Sequence, residues 1–336
     1  MRSGKELRIL IPSAIGLAVL ILDGGTAIEG AKSGLDVCIQ TVLPSLFPFI
    51  FITSILSPAL SAVKIKGNSF LSRLYGIPNG AEGILLSGLL GGYPIGAKCI
   101  DEAVAAGELS LPDGERMLPF CNAAGPAFIF GIIGSIFEER WIPWCLWGIH
   151  LLSGLCIARL FKYESHRSIN KVPADTTPIT SQLRRSVKVM SEICGWIILM
   201  RTVIAIAQKW CLWYMPAPLQ ILISGILELS NGCIALMDVS NTGLQFLLSS
   251  VFTGFGGLCV ALQTGSAASN LRRGLYLPGK ILQGMISFII AYIVQLFTFR
   301  DAQQVHLPWL FYPTLLSLIA VCIYSVAKKK KVVAFS

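Results

Sequence analysis

"ILLSGLLGGYPIGAKC", residues 84–99, begins as an apolar helix and abandons it within eight residues. Gly91-Gly92-Tyr93-Pro94 is the interruption: glycine has poor helix propensity and proline removes a backbone donor. A lysine, Lys98, follows in the same apolar stretch. The pattern recurs further along the chain. Residues 221–227, Ile-Leu-Ile-Ser-Gly-Ile-Leu, match 84–90 at five of seven positions, and the other two exchange Leu for Ile. This copy also runs into a break, Glu228-Leu229-Ser230-Asn231-Gly232. Behind each copy lies a second interrupted apolar stretch, "FCNAAGPAFIFG" (120–131) in one case and "VFTGFGGLCVALQTG" (251–265) in the other. Two broken units in the same order indicate an internal repeat.

Composition says what surrounds these breaks. Of 336 residues, 54% are hydrophobic and 13% are charged, against roughly 25% charged in soluble domains. An integral membrane protein is expected, and the net charge of +9 is read as topology rather than as a nucleic-acid footprint. The ten cysteines form no CxxC pair and fall largely in apolar runs, which suits small packing residues better than a disulfide framework. His150, His166 and His306 are scattered, so no zinc site and no cofactor is expected.

Stretches near the 20 or so apolar residues that cross a bilayer occur at 9–22, 37–60, 117–137, 141–161, 187–208, 245–268, 281–299 and 309–327. The first is short enough for a signal peptide, but Asp23-Gly24-Gly25-Thr26 offers no clear small-x-small cleavage site, so it is read as a retained helix. With the N-terminus inside, 21 of the 27 Lys and Arg residues lie on the cytoplasmic side, including Lys280, which precedes the seventh stretch. Only Lys32, Arg140, Lys209 and Arg300 fall outside, while Lys98 and Arg201 sit within apolar stretches. This balance obeys the positive-inside rule only if 82–100 and 219–237 each return to the side they entered. The expected fold is an all-α polytopic membrane protein. It has about eight transmembrane helices plus two re-entrant helical hairpins in an inverted-topology repeat, with both termini cytoplasmic. It divides into an N-terminal transmembrane helix (1–30), repeat A (31–161), a cytoplasmic linker (162–186), repeat B (187–299), and a C-terminal helix with a basic tail (300–336).

Three of these stretches, "GGYPIGAK" (91–98), "RMLPFCNAAGPAFIFG" (116–131) and "FTGFGGLCVALQ" (252–263), resemble the YlbJ (SpoVV) family of sporulation integral membrane proteins. They also resemble the wider nucleoside-recognition, or Gate, domain shared with sporulation maturation proteins, the iron transporter FeoB and concentrative nucleoside transporters. The resemblance runs from about residue 30 to 300. It implies a membrane protein of endospore-forming bacteria, in the mother-cell or outer forespore membrane, that moves dipicolinate toward the forespore.

Candidate substrate-binding residues cluster at the breaks, and each carries an alternative. Asn122 and Gly125 either line an unwound segment facing a solute or belong to a packed proline kink at Pro126. Tyr93 either meets substrate or packs at an interface. Ser87, like its counterpart Ser224, fits a tight helix contact as well as a site. A cation at mid-membrane is costly and needs a partner or a purpose. Arg201, deep in its span, either binds an anion or pairs with Glu192 or Glu228, whereas Lys98 either binds solute or snorkels to the cytoplasm. Glu228 either carries a coupling ion or neutralises Arg201. Asn231 and Gln263 complete the set.

The leading functional expectation is a secondary transporter or facilitator of a small anionic solute. No GxxxxGK[ST] loop is present, so a gradient or downhill flow drives it. The alternatives are a non-transporting scaffold in spore-envelope assembly, or a nucleoside or metal-ion carrier. Neither H-E-x-x-H nor G-x-S-x-G occurs, so an enzyme is not expected. The expected partners are membrane lipid, the anionic solute, and a second copy or other sporulation membrane proteins, with no nucleic acid.

Overall fold

The structure, a computed structural model, describes residues 3–62, 69–161 and 178–308, with positions 313, 317, 319, 320, 323 and 324. Most of the expected C-terminal helix, its basic tail and most of the 162–186 linker lie outside the described residues.

Every regular element among the described residues is helical. The first half contains α1 (Ser3–Leu22), α2 (Gly24–Val37), α3 (Leu43–Ala62), α4 (Phe70–Tyr75), α5 (Glu82–Gly91), α6 (Ile95–Ala105), α7 (Leu111–Cys121) and α8 (Trp141–Leu160). The second contains α9 (Ile179–Ala207), α10 (Ala217–Leu227), α11 (Leu229–Ala235), α12 (Thr242–Phe255), α13 (Gly257–Ala267) and α14 (Tyr276–Thr298). Local chemistry sets many of the boundaries. The Ser110 Oγ accepts from the Asp113 N–H to open α7, and Asn241 Oδ1 does the same for Leu244 at the start of α12, both as N-caps.

Among the described residues, five helical stretches are long and apolar enough to cross a bilayer: Gly24–Leu56, Trp141–Leu160, Ile179–Leu212, Thr242–Ala267 and Tyr276–Thr298. Shorter apolar helices occur at Ser13–Leu22, Glu82–Gly91 and Ala217–Leu227. The differences from the expected spans have local causes. The stretch 117–137 is not one helix, because α7 ends at Cys121 and the chain runs non-helical to Gly125 before a wide π-turn at Ala127–Ile132. Pro126 follows that gap, and the residue before a proline is biased away from helix. The stretch 245–268 breaks at Gly256, whose φ of 86° lies in the left-handed region that favours glycine. The last described span begins at Tyr276 rather than 281, which brings Lys280 inside a helix that had been expected to start after it.

Both of the similar stretches, 84–90 and 221–227, lie in the first arm of a helical hairpin. α5 and α6 form one helical hairpin, and α10 and α11 form another. In each, the glycine of the Ser-Gly pair crosses a glycine of the returning arm. A Cβ on Gly88 would lie 3.2 Å from the Gly96 Cα, and one on Gly232 would overlap the Gly225 Cα. α2 and α9 cross as closely. Gly30 and Gly34, a small-xxx-small pair, abut the Thr202 and Ile198 backbone. Outside, the molecule is apolar: Ile21, Phe297 and Trp144 are exposed, while Lys280, Gln283, Asn122 and Ser287 are buried. That inversion of the soluble pattern is what a lipid-facing exterior requires.

Candidate functional site

The hairpin tips and the helix breaks converge. Gly91, Gly92 and Tyr93 at the tip of the first hairpin border a half-open cavity. Gly125, Ala127 and Phe128 approach it from the first break, and Glu228, Leu229 and Ser230 from the tip of the second hairpin. Val260 and Gln263 of α13 line it after the second break, with Leu46, Ile50 and Ile193 closing the side. The empty space is about 540 Å³, the mouth included. The closeness is achieved by glycine. A Cβ on Gly92 would sit 2.9 Å from the Gly125 nitrogen, and one on Gly256 2.6 Å from the Tyr93 hydroxyl. The Tyr93 hydroxyl points at the second half, 3.4 Å from the Thr253 carbonyl oxygen to which it donates.

Glu228 is the acid of the cavity wall. Its Oε1 accepts from the Ser230 N–H at 3.0 Å and its Oε2 from the Asn231 N–H at 2.7 Å. The side chain therefore caps α11, placing negative charge at the positive end of the helix dipole. A helix end closed in this way is not available to a second anion.

Beneath the cavity lies a buried polar network that joins the halves. Asn122 Oδ1 accepts from the Ala97 N–H at the start of α6, while its Nδ2 donates to Thr264 Oγ1 at 2.8 Å and to the Tyr276 hydroxyl at 3.1 Å. The Asn122 carbonyl oxygen receives Lys280 Nζ at 3.5 Å. Lys280 also donates to Gln283 Oε1 at 2.8 Å and stands 5.4 Å from the centre of the Tyr93 ring. Gln283 Nε2 in turn donates to the His150 carbonyl oxygen and to Ser153 Oγ, and His150 Nε2 accepts from the Ala124 N–H within the break. Lys280 is 1% exposed, and among the described residues no carboxylate lies within ion-pair distance of it.

Of the nine residues singled out from the sequence, Tyr93, Gly125, Glu228 and Gln263 border the cavity. Asn122 lies just behind it, with its carboxamide bonded on both sides. Asn231 is fully buried beside Ser230, and neither its Oδ1 nor its Nδ2 has a hydrogen-bond partner among the described residues. Ser87 is buried in the first hairpin. Lys98 lies apart, partly exposed, 3.8 Å from Glu102, which also meets Arg185. Arg201 faces α2, where its Nε donates to Ser33 Oγ at 3.2 Å, and it does not border the cavity. Lys280, Tyr276 and Gln283 did not figure among the candidates. Their signal was present: Tyr276, Lys280, Gln283 and Ser287 recur at helical spacing on one face of an otherwise apolar helix. Among the described residues no three His, Cys, Asp or Glu side chains gather to hold a metal.

Over an alignment of 325 residues the chain is 24% identical to the sporulation integral membrane protein YlbJ of Bacillus subtilis (strain 168), spanning 82% of this chain and 79% of that protein. This supports membership of the YlbJ family. Together with the long apolar helices, the likeness supports an integral membrane protein. No family model matches the chain, and no solved structure matches it.

Proposed function

We propose that this protein is a carrier or facilitator in a membrane of the sporulating cell, and that its solute passes through the cavity between the two hairpins. One observation carries this reading: tips and breaks from separate halves of the chain border a single half-open space. Non-helical backbone at membrane depth persists only where protein or a water-filled cavity satisfies it. Paired broken helices in corresponding positions are how many transporters build a midplane site. In this reading the hairpins are re-entrant, the halves are inverted repeats crossing at Gly88 and Gly225, and both termini are cytoplasmic.

The solute we propose is a small anion, with dipicolinate the candidate named by the family resemblance, moving toward the forespore. A gradient or downhill flow drives the movement, and the chain performs no catalysis. A second copy or other sporulation membrane proteins are the proposed partners. The test joins cells and vesicles. Deleting the gene in its host is expected to lower spore dipicolinate, and purified protein in lipid vesicles is expected to move labelled dipicolinate. Normal spore dipicolinate together with silent vesicles would sink the proposal.

A further inference from the structure

An anion entering this cavity meets one carboxylate at its wall, Glu228, and needs a cation. Lys280, 1% exposed, is a buried cation whose contacts lead to that wall. It reaches the cavity wall by two routes. Its Nζ lies over the ring of Tyr93, which borders the cavity. Its Nζ also donates to the carbonyl of Asn122, which opens the non-helical segment ending at the cavity residue Gly125. The fixed partners of the ammonium are neutral oxygens, those of Gln283 and Asn122. An ammonium held in a membrane protein by neutral oxygens alone is expensive, and a solute carboxylate would supply the missing charge. We infer that Lys280 is the residue that receives a carboxylate of the solute, and that Tyr93 is the lid between it and the cavity. The inference rests on the carrier reading above and gives that site its cation. Tyr93 suits the part: its ring lends the ammonium a cation–π contact while the site is empty, and among the described residues its hydroxyl has one long bond, to Thr253.

The test uses the full-length protein in detergent with pyridine-2,6-dicarboxylate as probe and the neutral pyridine-2,6-dicarboxamide as control. Binding is read by equilibrium dialysis. Acylation of Lys280 by a small amine reagent is read by peptide mass spectrometry. Lys280→Met is expected to weaken dicarboxylate binding about tenfold or more, as loss of a charged hydrogen bond does. It should leave the thermal midpoint unchanged or raised, because a buried charge without a counter-ion has been removed. Tyr93→Ala is expected to speed acylation of Lys280 about tenfold, by the same order as its lost cover. The dicarboxylate, and not the dicarboxamide, should slow it again.

Equal binding by wild type and Lys280→Met, or acylation that the dicarboxylate does not slow, would overturn the assignment of Lys280 and leave the carrier reading standing. Acylation equally slow with and without the Tyr93 ring would overturn the lid. Protection of Lys280 by dicarboxylate, with no movement of solute in vesicles, would uphold the site and overturn the carrier. Wild type that neither binds nor moves the probe would overturn both.

Discussion

Gly232 and Gly225 face each other across the second hairpin so closely that a Cβ on Gly232 would overlap the Gly225 Cα and come within 2.8 Å of its nitrogen. The obstacle is backbone, so no rotamer change relieves it. Gly232→Ala is expected to destabilise the protein by about 1–3 kcal/mol, the range for overpacking a tight contact. Gly88→Ala should behave alike, since its Cβ would overlap the Cys121 carbonyl oxygen. Gly148→Ala is the control, with nothing within 4 Å of its Cβ. Unfolding midpoints in detergent decide the matter. A Gly232→Ala protein as stable as Gly148→Ala would show that the hairpin arms do not cross at this glycine.

Asn122 ties three elements with one carboxamide: the start of α6 through Ala97, α13 through Thr264 and α14 through Tyr276. Asn122→Ala leaves the buried Ala97 N–H without its acceptor, while Thr264 and Tyr276 keep their bond to each other, so a loss of about 1–3 kcal/mol is expected. Thr264→Val removes one partner of the same network. The double variant should lose less than the sum of the two single losses, because contacting residues couple. Additive losses in thermal unfolding would mean that the two side chains do not share a bond.

The breaks were legible because glycine and proline act locally: Gly92, Pro94, Gly125, Pro126 and Gly256 stop a helix wherever the chain goes next. The likeness of 84–90 to 221–227 was legible for the same reason, and both copies fold into hairpins that cross at their glycine. Lys280 was misread because a lysine beside an apolar stretch scores as the end of a span whether it faces water or protein. Its helical spacing with Tyr276, Gln283 and Ser287 separates those cases, and that spacing matters only once the helix is extended back to Tyr276. Arg201 shows the converse. Its depth in a span was plain, but whether it faces a solute or the Ser33 hydroxyl depends on how α9 lies against α2. The convergence of residues 200 positions apart on one cavity is likewise set by tertiary packing, which no local pattern encodes.

Asp23 clamps the bend between α1 and α2 to the end of α9. Its Oδ1 receives Lys209 Nζ and its Oδ2 receives Trp210 Nε1, both at 2.8 Å. The hydrogen bond from Lys209, then those from Thr26 and Trp210, hold its carboxyl at about 2, below the ordinary 3.8. A carboxyl with a lowered folded-state pKa contributes stability above its unfolded value and loses it as the pH falls through the folded one. The clamp is therefore expected to be intact above about pH 4 and to fail toward pH 2. Asp23→Asn should abolish that acid-sensitive step. A change in Trp fluorescence between pH 4 and 2 that persists unaltered in Asp23→Asn would assign the step to another group.

Arg201 and Lys280 are both cations within membrane-spanning helices, and the structure gives them different surroundings. Arg201 is half-buried against α2 and donates to Ser33. Lys280 is sealed beneath Tyr93. A cation held by a hydroxyl at a helix contact serves the packing of α2 on α9, where a Cβ on Gly34 would lie 3.2 Å from the Arg201 Cβ. Arg201→Ala is thus expected to lower the thermal midpoint modestly, by the order of one hydrogen bond or about 1 kcal/mol. Dicarboxylate movement in vesicles should stay within about twofold of wild type, since no tenfold charged contact is lost. Lys280→Met is expected to do the reverse, keeping the midpoint and losing the movement. If Arg201→Ala stops movement while its midpoint holds, the solute's cation lies on α9, and the path runs along the α2–α9 contact rather than under Tyr93.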